Sequence, residues 1–252
     1  MKGRGGIAGL YRLAPWRDKG RAFVYSARME ASLTYTVNRS QGRIVPGCAW
    51  EKPEWRDAPS LVIDNHMGDA PTHKPRVHAK LLYDEEFLHV IFHVQDRYVR
   101  SVVTAAQGPV CTDSCVEFFF TPGDDIREGY FNIEANCGGT VLFMHQLARG
   151  SACRPMSDKD IAALTIFHTM PAVVEPEIRE PVEWLVQYRV PYSVLSRRAL
   201  VTIPAAGVVW RANLYKCADN TSHPHWLTWS PVAWPQPDFH RPEHFGTFVF
   251  GK

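Results

Sequence analysis

Apolar side chains recur at every second position along much of the chain. Leu88, Val90, Phe92 and Val94 share one side of an extended run, the spacing of a strand with one buried face. Residues 78–83 precede it across Asp84-Glu85-Glu86, which predicts a hairpin. A second hairpin is predicted from residues 115–120 and 130–136, turning at Pro122-Gly123-Asp124-Asp125. Val182, Trp184, Val186, Tyr188 and Val190 alternate again, and 210–217 and 245–250 read as further strands. Only 158–163 and 192–198 have a helical pattern, of one or two turns, while 46–59 and 64–75 read as loops. Short strands separated by Gly/Pro turns predict an all-β fold. The expected architecture is a two-layer antiparallel β-sandwich, jelly-roll or immunoglobulin-like, with long aromatic loops.

Composition narrows the class. With 45% hydrophobic and 21% charged residues, the 252-residue chain has the apolar surface that a disordered chain lacks. No apolar run approaches the ~18 residues of a spanning helix, so membrane insertion is not expected. A net charge of +2 lacks the clustered basic excess of a nucleic-acid partner. The six cysteines form no CxxC pair, which favours buried thiols in a reducing compartment over a zinc ribbon. Residues 1–28 are Gly- and Arg-rich and read as a tail, or as an over-long gene start with the true start at Met29; residues 29–252 then form a single domain. Gly5 to Leu10 is too short and too Gly-rich for a signal-peptide core, so the expected location is cytoplasmic. Oligomeric state stays open.

Candidate chemistry gathers on the second hairpin. Val116, Phe118 and Phe120 share the core face, leaving Cys115, Glu117 and Phe119 on the other. On the return strand Phe131, Ile133 and Ala135 are apolar, and Asn132, Glu134 and Asn136 lie opposite. A turn centred near residue 125 brings Glu117 across from Glu134, and like charges so placed cost stability unless they serve something. The pair would hold a sugar, a cation or a proton, or else be solvated rim residues. Arg211 and Asn213, with Tyr215, alternate outward on 210–217 and extend the same face. The run 219–244 holds Trp226, Trp229 and Trp234 among prolines, rigid aromatic faces suited to stacking on sugar rings. His223, His225, His240 and His244 match no zinc spacing. Asp96 and Asp113, at strand ends, would take calcium with backbone carbonyls, or would cap loop amides.

These pieces together resemble the carbohydrate-binding family 9-like proteins, β-sandwiches related in plan to DOMON-type domains. The resemblance rests on residues 80–88, Val94-x-Asp96, Asp113-Ser-Cys-Val-Glu-Phe-Phe-Phe120, Tyr130-Phe-Asn-Ile-Glu-Ala-Asn136, Asn136-Cys-Gly-Gly-Thr140, Thr221-Ser-His-Pro-His225 and His244-Phe-Gly246, and it covers about 33–250. It implies non-catalytic sugar binding associated with polysaccharide breakdown, between two tryptophans and with polar side chains on the hydroxyls. Glu117 matches the family's glutamate, and Asn132 falls where an arginine is usual. The first stacking tryptophan would fall at Cys111, so Trp50 or Trp55 would have to supply that face; Trp229 or Trp234 would be the second. The resemblance also implies structural calcium, carried here to Asp96 and Asp113. The alternatives are a xylanase-like glycoside hydrolase acting through Glu117 and Glu134, a haem-binding sandwich with a ligand such as Met144 or a histidine, and a protein-docking domain.

Overall fold

The alternation resolves into sixteen strands over the described residues, which in this computed structural model are 33–45, 47 and 49–252. The expected tail at 1–28 lies outside them. The strands are β1 Thr34–Arg39, β2 Leu61–Val62, β3 Asn65–His66, β4 Arg76–Tyr83, β5 Phe87–Asp96, β6 Val99–Ser101, β7 Cys115–Thr121 and β8 Tyr130–Asn136. There follow β9 Val141–Gln146, β10 Arg154–Pro155, β11 Phe167–His168, β12 Val174–Ile178, β13 Val182–Pro191, β14 Val209–Cys217, β15 Trp226–Thr228 and β16 Gly246–Phe250. Both predicted hairpins form, as β4–β5 and β7–β8. The helical patterns become Asp158–Ala163, closed by a Ser157–Asp160 capping box, and Tyr192–Leu195.

The sandwich is mixed rather than wholly antiparallel. One sheet runs β10-β9-β8-β7-β14-β16, the other β4-β5-β13-β11. β1 joins them, pairing in parallel with β16 through residues 34–37 and with β4 through residues 38–39. Parallel neighbours need a long connection, and here β1 lies beside the last strand of the chain, so no local signal announces the pairing.

Between the sheets, the inward positions of β5 (Leu88, Val90, Phe92, Val94) meet those of β7 (Val116, Phe118, Phe120), β13 and β14 in one buried cluster. The outward positions are covered as well. Met67, Val110, Cys115, Phe119, Tyr130, Tyr215, Cys217, Val232, Phe239 and Phe245 form a second cluster, in which the segment after β15 lies over β7, β8 and β14. On the far sheet, Trp55 packs with Ile44, Leu82 and Ile91, against which half-buried Trp50 rests.

Gly246 opens β16 against Trp229. A Cβ at Gly246 would meet the indole Cζ3 at 2.5 Å, and Trp229 itself is buried edge-on to Tyr35 at 6.4 Å. The glycine is therefore needed for close approach of backbone to ring. Gly246→Ala should destabilise the chain by about 1–3 kcal/mol through forced repacking of Trp229. Urea unfolding measures this, and an unchanged midpoint would show that the ring gives way without strain.

Candidate functional site

Period-two alternation places Glu117, Glu134 and Cys217 on the outer face of the first sheet, and the register opposes Glu117 directly to Glu134. Neither carboxylate is a solvated rim residue: both are buried beneath the covering segment. They lie at the wall of a cavity of about 170 Å³, also lined by Cys111, Arg149, Asp219, Trp226, Pro237, Asp238, Phe239 and His240. The lining is anchored at several points. Asp219 N–H donates to the Cys111 carbonyl at 3.1 Å, docking the post-β14 loop on the turn at Val110–Thr112. Trp226, opposite Cys217 in the β14–β15 register, donates its indole N–H to Asp219 Oδ1 at 2.8 Å. Phe239 stacks on Tyr215 at 4.2 Å and accepts the Tyr215 hydroxyl at its carbonyl. Asp238 is gripped by Arg149 at 2.5 Å and Arg241 at 2.7 Å.

Behind this wall runs a chain of neutral donors and acceptors. Asn132 Nδ2 donates to Glu134 Oε1 at 2.9 Å, and Gln146 Nε2 donates to Asn132 Oδ1 at 2.9 Å. Gln146 Nε2 and the Tyr130 hydroxyl both reach His240 Nδ1, at 3.2 and 2.9 Å, leaving Nε2 as the ring's donor. Burial drops His240 to about 4, against the opposing pull of Asp238, so the ring is neutral at physiological pH. Burial, then the neighbouring Glu134, pushes Glu117 well above the usual carboxylate range. Burial pushes Glu134 up to about 7, with Asn132 opposing the rise and Asp219 adding to it. Near neutrality the pair therefore retains a proton, which relieves the repulsion of its facing charges.

The predicted residues divide. Glu117 and Glu134 line the cavity, and Asn132 stands behind Glu134 as its support. Asn213 is fully buried and occupied: Nδ2 donates to the Ser230 carbonyl, while Oδ1 accepts the Ser230 and Leu214 N–H groups. Arg211 donates to the Phe245 carbonyl and is 4.0 Å from Asp124, away from the lining. Trp229 belongs to the inter-sheet core. Trp234, 42% exposed, lies under the Arg241 guanidinium at 3.3 Å and is also outside the lining. The tryptophan at the cavity is Trp226. Trp50 and Trp55 pack on the outer face of the other sheet and do not line this cavity. Sequence reasoning missed Arg149, Asp238, His240 and Phe239 as lining; for the last three the only signal was the density of polar and aromatic residues in 219–244, and Arg149 lies outside that run.

Of the two aspartates expected to hold calcium, Asp96 does not fit it. Buried Asp96 meets the Lys216 ammonium at 3.4 Å and His73 at 2.7 Å. Burial pushes its carboxyl up, but Lys216, His73, His225 and the Arg97 N–H together hold it at about 2. Lys216 also donates to His225 Nε2 at 2.7 Å, and a dication at Asp96 would have to sit against that buried ammonium. Asp113 accepts the N–H groups of Val102 and Val103 and the Asn136 amide on Oδ2, the capping alternative. Three of the four C-terminal histidines are engaged elsewhere: His225 serves Lys216, His223 stacks on Tyr98 at 3.6 Å, and His240 faces Tyr130. Among the described residues no helix is long and apolar enough to cross a membrane.

Fold and cavity together define a β-sandwich with a cavity on the outer face of one sheet. The chain belongs to the family described as carbohydrate-binding family 9, whose model matches residues 56–250. Solved structures agree. A candidate carbohydrate-binding protein from Bacteroides uniformis superposes with TM-score 0.76 at 25% identity, over 87% of this chain and 100% of that one. Family 9 modules from Caldicellulosiruptor kristjanssonii, solved with cellotriose and with glucose, share the fold at TM-score 0.59 with 14% and 13% identity, covering 87% of this chain and 94% and 97% of theirs. A search of the curated proteins found no match.

Three outcomes follow. Both buried carboxyls hold their protons more tightly folded than unfolded, so the folded chain binds more protons and stability falls as pH rises from about 4.5 through about 7. Glu134→Gln should flatten this fall; urea midpoints between about pH 5 and about pH 8 give the slopes, and equal slopes would remove the proton from the pair. Lys216→Met should cost about 3–5 kcal/mol at neutral pH by stranding the Asp96 carboxylate. Calcium should leave the wild-type thermal midpoint unchanged, whereas an upward shift would reveal a site.

Proposed function

We propose that this chain is a non-catalytic carbohydrate-binding module that takes a single sugar ring in the Glu117/Glu134 cavity. The observation carrying the reading is the juxtaposition, in one cavity, of two aromatic faces (Trp226 and Phe239) with buried carboxyls and anchored donors. Sugar recognition needs both kinds of surface: ring C–H groups on a π face, hydroxyls on oriented polar groups. Glu117 and Glu134 accept from hydroxyls, and His240 Nε2 and Arg149 donate. Trp226 takes the stacking role in place of Trp229 or Trp234. In this role the chain serves polysaccharide breakdown by holding sugar, as the family membership suggests. The neighbouring modules solved with glucose and cellotriose support the same class of ligand.

The placement of the carboxyls favours binding over hydrolysis. Glu117 and Glu134 project from adjacent strands on one wall, whereas a glycosidase pair flanks the scissile bond from two sides.

Calorimetric titration with glucose, xylose, galactose, cellobiose and xylobiose tests the reading. Binding is expected in the micromolar-to-millimolar range, about 4–8 kcal/mol. Trp226→Ala and Glu117→Gln should each weaken it at least about ten-fold, about 1.4 kcal/mol. Silence across the panel from folded protein, or variants that bind like the wild type, would overturn it.

A further inference from the structure

Three metal-ligating atoms converge at the cavity wall, a feature unrelated to stacking. Cys115 and Cys217 are directly opposed in the β7–β14 register. Glu117 follows Cys115 by two residues and so shares its face. The two Sγ atoms and a Glu117 carboxylate oxygen all lie within 4.8 Å of one another. A tetrahedral ion with bonds of about 2.3 Å to sulfur and 2.0–2.2 Å to oxygen sets its ligand atoms roughly 3.5–3.8 Å apart, so the three atoms need only small adjustments. Cys217 Sγ makes a 3.0 Å hydrogen bond to Glu117 Oε1, and neither thiol is in a disulfide.

We propose that Cys115, Cys217 and Glu117 form a site for a thiophilic divalent cation of the zinc class, with the fourth coordination position open to the cavity. Thiolate donors select soft or borderline ions over calcium or magnesium. Glu117 and Cys217 line the cavity directly, which supplies the entry path. The surroundings hold the ligands in place: Cys217 is fixed by its strand pairing, its carbonyl accepts the Lys216 ammonium at 2.9 Å, and Glu134 beside Glu117 is braced by Asn132. Uptake of the ion deprotonates both thiols, and Glu117 binds as the carboxylate with the proton of the carboxyl pair resting on Glu134, so two thiol protons leave as two thiolate–metal bonds and one carboxylate–metal bond form. Among the described residues this is the one group of three such side chains placed to share an ion. The site does not depend on the sugar reading, since its occupancy is measured without sugar.

The test is cobalt titration of the full-length reduced protein. One equivalent should produce thiolate-to-cobalt charge-transfer absorption with intense tetrahedral d–d bands, and zinc should displace it. Calorimetry in buffers of different ionisation enthalpy should register the released protons. Cys115→Ser and Cys217→Ser should each at least halve the thiolate absorption, since one thiolate remains, and weaken zinc at least about ten-fold, the lower end of the typical cost of removing even an outer-shell partner of a metal. Cys153→Ser, at an exposed thiol outside the cavity lining, should behave as wild type. Glu117→Gln keeps both thiols and the side-chain shape, so it tests the site even if a serine variant fails to fold; it should also weaken zinc at least about ten-fold with an unchanged circular dichroism spectrum. Absence of the thiolate band, undiminished binding in Cys115→Ser, Cys217→Ser or Glu117→Gln, or a Cys115–Cys217 disulfide in protein kept under reductant would overturn the proposal.

Discussion

Burial of two facing carboxyls is the constraint that organises the functional side of this molecule. Glu117 and Glu134 are forced together by the β7–β8 register, and the segment after β15 denies them bulk water. Low-dielectric surroundings make such a pair unstable in the doubly charged form, so it needs a proton, oriented donors or a ligand. The chain supplies the donors through Asn132 and, behind it, Gln146, Tyr130 and His240. Disturbing any member moves a ring or an amide that shapes the cavity, because polar networks in low dielectric tolerate little slack.

The covering segment is itself held by polar clamps at its base and by aromatic contacts farther along. Asn213, buried in β14, exchanges hydrogen bonds with Ser230 in both directions. Tyr215 holds Phe239 by a ring stack and a hydroxyl bond. One strand thus carries residues that look like binding groups and instead secure the roof of the site. At the sandwich end the Asp96–Lys216–His225–His73 cluster performs the neutralisation that an ion would otherwise supply. An internal ammonium resolves the same electrostatic problem as a bound cation, with the counter-charge built into β14.

Much of the framework was legible because alternation is a local property. The two hairpins, the core faces of β5, β7 and β13, and the opposition of Glu117 to Glu134 follow from side-chain period and turn placement. The segment 158–163 was legible too, from its helical pattern. The motif residues carried the family resemblance over most of the chain. The parallel seam at β1 left no such trace, since its partners β16 and β4 lie far away in sequence.

The roles of individual aromatic and polar residues escaped sequence reading for the same reason. Composition placed three tryptophans in one loop, but only packing assigned Trp229 to the core, Trp234 to Arg241 and Trp226 to the cavity. Strand parity put Asn213 on the outward side, yet whether that side meets solvent, ligand or chain depended on where residues 219–245 settled. By itself the sequence determined the strands, their inward faces and the pairing of the carboxylates, because those follow from spacing of two. Tertiary structure alone decided that the outward face is roofed, which ring reaches the cavity and which charge answers Asp96, because each depends on contacts between residues distant in sequence.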